Sequence, residues 1–282
     1  MEQKRDFSLI NCISTAMIVY FLTIPLHELF HALTYIAYGD KLRAFSAGAT
    51  DSMGLIDRGS LPYFHRIMLA GGSASILNVI IGIVLMIVVL KASMGPALRV
   101  FMIQLMGAHL SEGIGYFMIG GLFGAGDWGS VFSHFPDDKG FVTVLRIVLS
   151  LVGCLGVVGI FFLLNYTSYY FIKDVNNLKE RNSVGFKLHL TVLIVGFIVG
   201  MTISAISPFE ELSLLIGFLY NMVWITFFWG FMFTGVMKVL PPKNSRYLYP
   251  LPEKPNYILL AIGVVLIMVD IFVFGPGLFF TY

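Results

Sequence analysis

Of the chain's 282 residues, 57% are hydrophobic and only 12% charged, and mean hydropathy is +0.86. Soluble domains usually carry about 25% charged residues, so this composition excludes an ordinary soluble globule and describes a polytopic membrane protein. The net charge of +2, with its few charge-dense stretches short and of mixed sign, is too small to suggest a nucleic-acid partner, and it is the apolar composition that makes the lipid bilayer the expected one.

Lys4 and Arg5 precede an apolar run from Ser8 to Tyr38. At about 31 residues it is too long for a signal-peptide core of about 7–15, so the run is expected to persist as the first span. At about 20 apolar residues per crossing, the sequence predicts seven transmembrane helices, over 8–38, 64–90, 97–123, 141–172, 188–207, 212–236 and 257–276. The expected class is therefore all-α, an integral multi-pass protein of the cell membrane. The first loop is one exception: Arg43 to Asp57 carries Gly48 and Gly54 among apolar and β-branched residues, which allows a short hairpin. A hairpin edge there offers backbone hydrogen bonds to an extended peptide. Lys238 to Lys254, with four prolines, reads as an extended connector. Cys12 and Cys154 both fall in apolar spans and read as small core hydrophobes rather than a disulfide, with zinc ligation the weaker alternative.

Cationic side chains do not settle orientation. With seven spans, twelve Lys and Arg share the N-terminal side against six opposite, which favours a cytoplasmic N-terminus, but the first half alone leans the other way.

Inside the first span lies His27-Glu28-Leu29-Phe30-His31. Helix positions four apart lie about 40° apart around the axis, so His27 and His31 can put two imidazoles on one ion with Glu28 beside it as general base. At this chain's His and Glu content, an H-E-x-x-H would arise in roughly 0.3% of shuffled sequences, which favours chemistry over accident. The membrane setting adds weight, because ionisable groups at depth cost several kcal/mol unless paired, metallated or facing water.

A hydrolytic zinc needs a third protein ligand and an open position for water. Asp127 in Gly-Ala-Gly-Asp-Trp-Gly-Ser ranks first. If the third span continues as helix to Phe135, Asp127 and His31 both lie about 12 Å from the same membrane face. Gly124, Gly126 and Gly129 also loosen the backbone around it, as suits a metal site. Glu112 and His109 rank second, four to five turns further from that end, and read equally as a polar pair on one helix face. Pro25, two residues before His27, is expected to kink the first span. Asp270, alone in the last span, has no assigned role.

These residues resemble the site-2 protease family of intramembrane zinc metalloproteases. HELFH at His27 to His31, LAGGSAS at Leu69 to Ser75 and GDWG at Gly126 to Gly129 occur in the family's order, within about the first 135 residues. The chain reads as a divergent member: Gly72 stands where Pro is usual, Ser75 where Asn is usual and Trp128 where Gly is usual. The resemblance implies Zn2+ on His27, His31 and Asp127, Glu28 as the base that activates water, and Gly71, Gly72 and Ser75 as substrate-binding positions. It further implies a membrane-spanning or membrane-adjacent protein as substrate. On this reading residues 1–140 form a metalloprotease core of three transmembrane helices, and 141–282 add accessory helices to the same membrane domain. The rival functions are a transporter or metal carrier using the same His and carboxylate groups, and a catalytically inactive helix-binding scaffold.

Overall fold

The computed structural model describes residues 8–54, 61–174, 176–207 and 250–281. Helix α1 runs unbroken over Ser8–Ala37, including Pro25, and stops at Gly39, whose φ of +79° reverses the chain. The first loop then forms the hairpin that its composition allows: β1 (Leu42–Phe45) pairs antiparallel with β2 (Thr50–Ser52), and Arg43 and Asp51 form an ion pair across it. A third strand, which the sequence did not suggest, comes from the end of the chain. β3 (Leu278–Phe279) adds to the other side of β1, giving a sheet in the order β2-β1-β3.

Helix α2 covers Tyr63–Lys91 and is interrupted by a π-helical turn at Met68–Gly72, where Gly71 has φ +140°. Helix α3 is Pro96–Phe123, opened by a proline in its first turn and closed by left-handed Gly124. A short helix α4, Gly126–Ser133, follows. Then come α5 (Lys139–Ser168), α6 (Leu178–Ile206, with a π-helical turn at Phe186–Leu190) and α7 (Tyr257–Phe274, with another at Asp270–Phe274). Asp138, Asn177 and Asn256 cap α5, α6 and α7 by accepting backbone N–H groups of the first turn.

Five of these helices, α1, α2, α5, α6 and α7, are long and apolar enough to cross a membrane. Their outward faces are greasy: Leu155 on α5 and Ile258 on α7 are 71% and 74% exposed. A helix apolar on its outer face as well as its inner one belongs in lipid. The expected span at 97–123 does form a helix, α3, but it falls outside that set; Arg99, Gln104 and His109 are buried along it and Glu112 is half-buried. The expected span at 212–236 lies outside the described residues.

Helix α3 is the central post, with α1, α2 and α5 packed around it. Helix α7 lies along α1 and α6 also touches it, so the helices after residue 140 rest directly on those before. Buried polar side chains fasten the assembly. Gln104 Nε2 donates to the carbonyls of Cys12 and Leu188 at 3.2 and 3.1 Å, while the Thr15 hydroxyl lies 2.5 Å from Oε1, tying α3 to α1 and α6. Asn11 donates to the carbonyls of Pro252 and Lys254 and accepts from Asn256 N–H, holding the end of the proline-rich connector against α1. Arg99 donates to the Val89 and Ala92 carbonyls at 3.0 Å each, which closes the C-terminus of α2. At the far end of α2, Asp138 accepts from the Tyr63 hydroxyl at 2.6 Å and from Phe141 N–H at 3.0 Å, contacts that hold its carboxyl below the usual carboxylate pKa.

Replacing Gln104 with Leu removes both carbonyl partners without opening a cavity. It should lower stability in detergent by about 1–2 kcal/mol, read as an earlier thermal unfolding midpoint. An unchanged midpoint would show that this junction does not hold the three helices together.

Candidate metal centre

The helical repeat brings His27, Glu28 and His31 of α1 to one side, and all three are buried. The two imidazoles meet edge to face with centroids 5.0 Å apart. Opposite them stands Asp127, whose Oδ2 is 3.2 Å from His27 Nε2 and 3.4 Å from His31 Nε2. One ligand atom from each of the three residues lies within 4.8 Å of the others.

These separations test whether a cation fits. A tetrahedral zinc with bonds of about 2.0–2.1 Å keeps its ligand atoms about 3.3 Å apart. The two measured distances bracket that value. In addition, His27 Nε2 is buried and, among the described residues, has no hydrogen bond of good geometry beyond the 3.2 Å approach of Asp127, a nitrogen that a bound cation would satisfy. Two imidazoles and a carboxylate are a donor set that could hold a metal ion, zinc among them.

Asp127 reaches the imidazoles by a route the sequence did not predict. The third span does not continue as one helix to Phe135. Helix α3 ends at Phe123, Gly124 and Gly126 take φ of +64° and +63°, and Asp127 sits in the first turn of the separate helix α4. Two of the three glycines that suggested a loosened backbone, Gly124 and Gly126, are thus the hinge, since left-handed φ is costly for other residues, while Gly129 lies within α4. Helix α4 folds back on the last turns of α3, where a Cβ on Gly120 would lie 2.3 Å from Trp128 Cβ. From below, Arg66 donates to the His134 carbonyl and lies over the Phe135 ring at 4.1 Å, pinning the end of α4.

Gly71, Gly72 and Ser75, the positions implied to bind substrate, are buried beside α4. A Cβ on Gly71 would come within 2.7 Å of the Asp127 carbonyl oxygen, and one on Gly72 within 3.4 Å of the Trp128 ring. Ser75 Oγ is 3.4 Å from Asp127 Oδ2. All three therefore shape the seat of Asp127. Trp128 occupies the room that glycines at 72 and 120 leave.

The second-rank candidates separate. His109 does not join the three converging groups; its Nδ1 lies 2.7 Å from Asn78 Oδ1. Glu112 is half-buried and close enough to His27, Asp127 and Glu28 to interact electrostatically, yet it is not one of the converging ligands. Neither cysteine joins them: Cys12 is buried and Cys154 exposed. Asp270 is buried in α7 with neither carboxyl oxygen hydrogen-bonded among the described residues.

Three neighbours of the centre escaped the sequence reading. Asn78 Nδ2 lies 2.8 Å from His27 Nδ1, the Tyr116 ring stacks on His27 at 4.9 Å, and the Thr50 hydroxyl donates to the Glu28 carbonyl at 3.0 Å. Only Asn78 left a usable signal, as a polar residue in the apolar run Ile76 to Leu90.

If Asp127 completes the ligand set, Asp127→Ala should lose most of its zinc during dialysis against a mild chelator, whereas Glu112→Ala should keep one zinc per chain. Zinc per protein, with folding checked by thermal unfolding, decides the point. Full zinc in the first variant and none in the second would reverse the assignment.

No protein-family model, curated protein or solved structure matches this chain.

Proposed function

We propose that this chain is an intramembrane zinc metalloprotease, resident in the cell membrane, that hydrolyses peptide bonds of membrane-spanning or membrane-adjacent proteins. The observation that carries the reading is the convergence of His27, His31 and Asp127, with Asp127 Oδ2 at 3.2 and 3.4 Å from the two imidazoles, beside Glu28, within a body of membrane-crossing length and apolarity. The resemblance to site-2 proteases in motif order supports it.

When bound, zinc lowers the pKa of a coordinated water and polarises the peptide carbonyl. Glu28 follows the first ligand directly in the helix and lies within electrostatic reach of both imidazoles and Asp127. Its carboxylate accepts the water's proton as the oxygen attacks, and returns that proton to the departing amine. Burial serves this step, since fixed charges act more strongly where water is scarce.

The sheet offers a way to present the substrate. A peptide bond inside an α-helix is shielded by its own hydrogen bonds, so the substrate must unwind locally. Strand β2 is an edge of the sheet, and its Thr50 is bonded to the backbone of Glu28. An extended substrate segment that adds to this edge lies beside the catalytic residue.

Glu28→Gln should keep one zinc per chain and reduce cleavage of single-span peptides by about 100-fold or more, because it removes a base and leaves the ligands in place. Cleavage at the wild-type rate would remove Glu28 from the chemistry, and a carrier or scaffold would show no dependence on it. For the edge, proline placed in turn at Thr50, Asp51 and Ser52 should raise KM for peptide, with zinc retained, at the position whose N–H points away from β1. Unchanged kinetics at all three positions would reject strand addition at β2.

A further inference from the structure

Asn78 joins two imidazoles carried by different helices. Its Nδ2 lies 2.8 Å from His27 Nδ1 and its Oδ1 lies 2.7 Å from His109 Nδ1. All three side chains are buried, at 1%, 0% and 2% exposure for His27, Asn78 and His109. The chain His27–Asn78–His109 therefore spans α1, α2 and α3 and ends on a nitrogen of a candidate ligand.

The direction of its hydrogen bonds follows from chemistry. An imidazole that binds a cation through Nε2 must carry its proton on Nδ1, so Nδ1–H needs an acceptor. The amide oxygen of Asn78 meets that need, and turning the amide over exchanges its oxygen and nitrogen with little movement of anything else. Nδ2 then donates to His109 Nδ1, whose own proton resides on Nε2. In the opposite arrangement Nδ2–H donates to His27 Nδ1, the His27 proton sits on Nε2 facing Asp127 Oδ2 at 3.2 Å, and His109 Nδ1–H donates to the amide oxygen. Between the two arrangements each imidazole moves one proton between its own nitrogens, and none is gained or lost.

We propose that Asn78, backed by His109, is the positioning residue that sets the tautomer of His27, its amide oxygen facing His27 when Nε2 serves as a ligand and its amide nitrogen facing His27 when Nε2 bears a proton. This rests on the reading of His27, His31 and Asp127 as a zinc site. It gives His109 and the polar break in α2 a purpose that neither ligation nor packing supplies.

The test uses the full chain in detergent micelles, with zinc affinity measured by competition against a chelating indicator. Asn78→Leu keeps the volume and removes the acceptor, and should weaken zinc binding about tenfold to hundredfold. Asn78→Asp restores an acceptor for Nδ1–H and should bind zinc far better than the Leu variant. A role in packing alone predicts the reverse order, because Leu suits an apolar helix and Asp does not. Nitrogen NMR of histidine-labelled wild type supplies a readout independent of folding in the variants: the His27 proton should lie on Nδ1 with zinc and on Nε2 without it. Wild-type affinity in Asn78→Leu, equal losses in both variants, or an unprotonated His27 Nδ1 in the zinc-loaded wild type overturns the proposal. If those results appear while wild type binds one zinc that His31→Ala loses, the metal site stands and only the role of Asn78 falls. If wild type binds no zinc, both fall.

Discussion

Everything around the centre answers one demand: two imidazoles and two carboxylates are held close together inside an apolar helical body. Groups of this kind cost several kcal/mol each when withdrawn from water unless something compensates them. The surroundings of His27 show the compensation. Asn78 meets its Nδ1, Tyr116 covers its ring face, and Asp127 approaches its Nε2. Among the described residues that Nε2 has only the 3.2 Å approach of Asp127 Oδ2 and no hydrogen bond of good geometry, and it lies where the three ligand atoms converge. A cation there turns the costliest feature of the interior into its strongest set of bonds.

The same demand explains the small residues nearby. Asp127 can reach α1 only if α4 lies hard against both α2 and α3, closer than helices with ordinary side chains pack. A Cβ on Gly71 would press on the Asp127 backbone, one on Gly120 would strike Trp128, and one on Gly126 would lie 2.8 Å from the Tyr116 ring. Gly71 also holds φ +140°, so the kink in α2 and the seat of Asp127 depend on the same residue. Small residues at helix contacts are common in membranes because they let backbones approach. Here the approach brings Asp127 to the two imidazoles.

How far the sequence could be read follows from the range of the interactions concerned. His27, Glu28 and His31 were legible because the spacing of a helix is local, and nothing distant alters which face they share. The span boundaries at 64–90, 141–172 and 257–276 fall close to α2, α5 and α7 because length and apolarity decide them. For Asp127 the residue was legible and its route was not: the glycines announced a weak helix, but the backward fold of α4 depends on contacts with Gly71 and Gly120, 56 and 7 positions away. Asn78 and His109 looked like isolated polar residues because their partnership crosses between helices. Strand β3 is two residues long and pairs with β1 across more than 200 positions of sequence, so no local pattern could announce it.

That late strand bears on how the sheet can be used. β3 occupies one side of β1, and Phe274 just before it packs edge to face on Phe45 and beside Phe21 of α1, so the hairpin is anchored from the C-terminal end of the chain. Ala47 N–H also donates to the Phe274 carbonyl at 3.1 Å. With the β3 side of β1 taken by the chain itself, β2 is left as an edge of the sheet among the described residues. The hydroxyl of Thr50 ties that strand to the Glu28 carbonyl, so a shift of the edge is felt at the turn of α1 that carries Glu28. The helices after residue 140 thereby do more than pack on those before: through α7 and β3 they cover one side of β1, and among the described residues the other side of the hairpin is the one that adjoins Glu28.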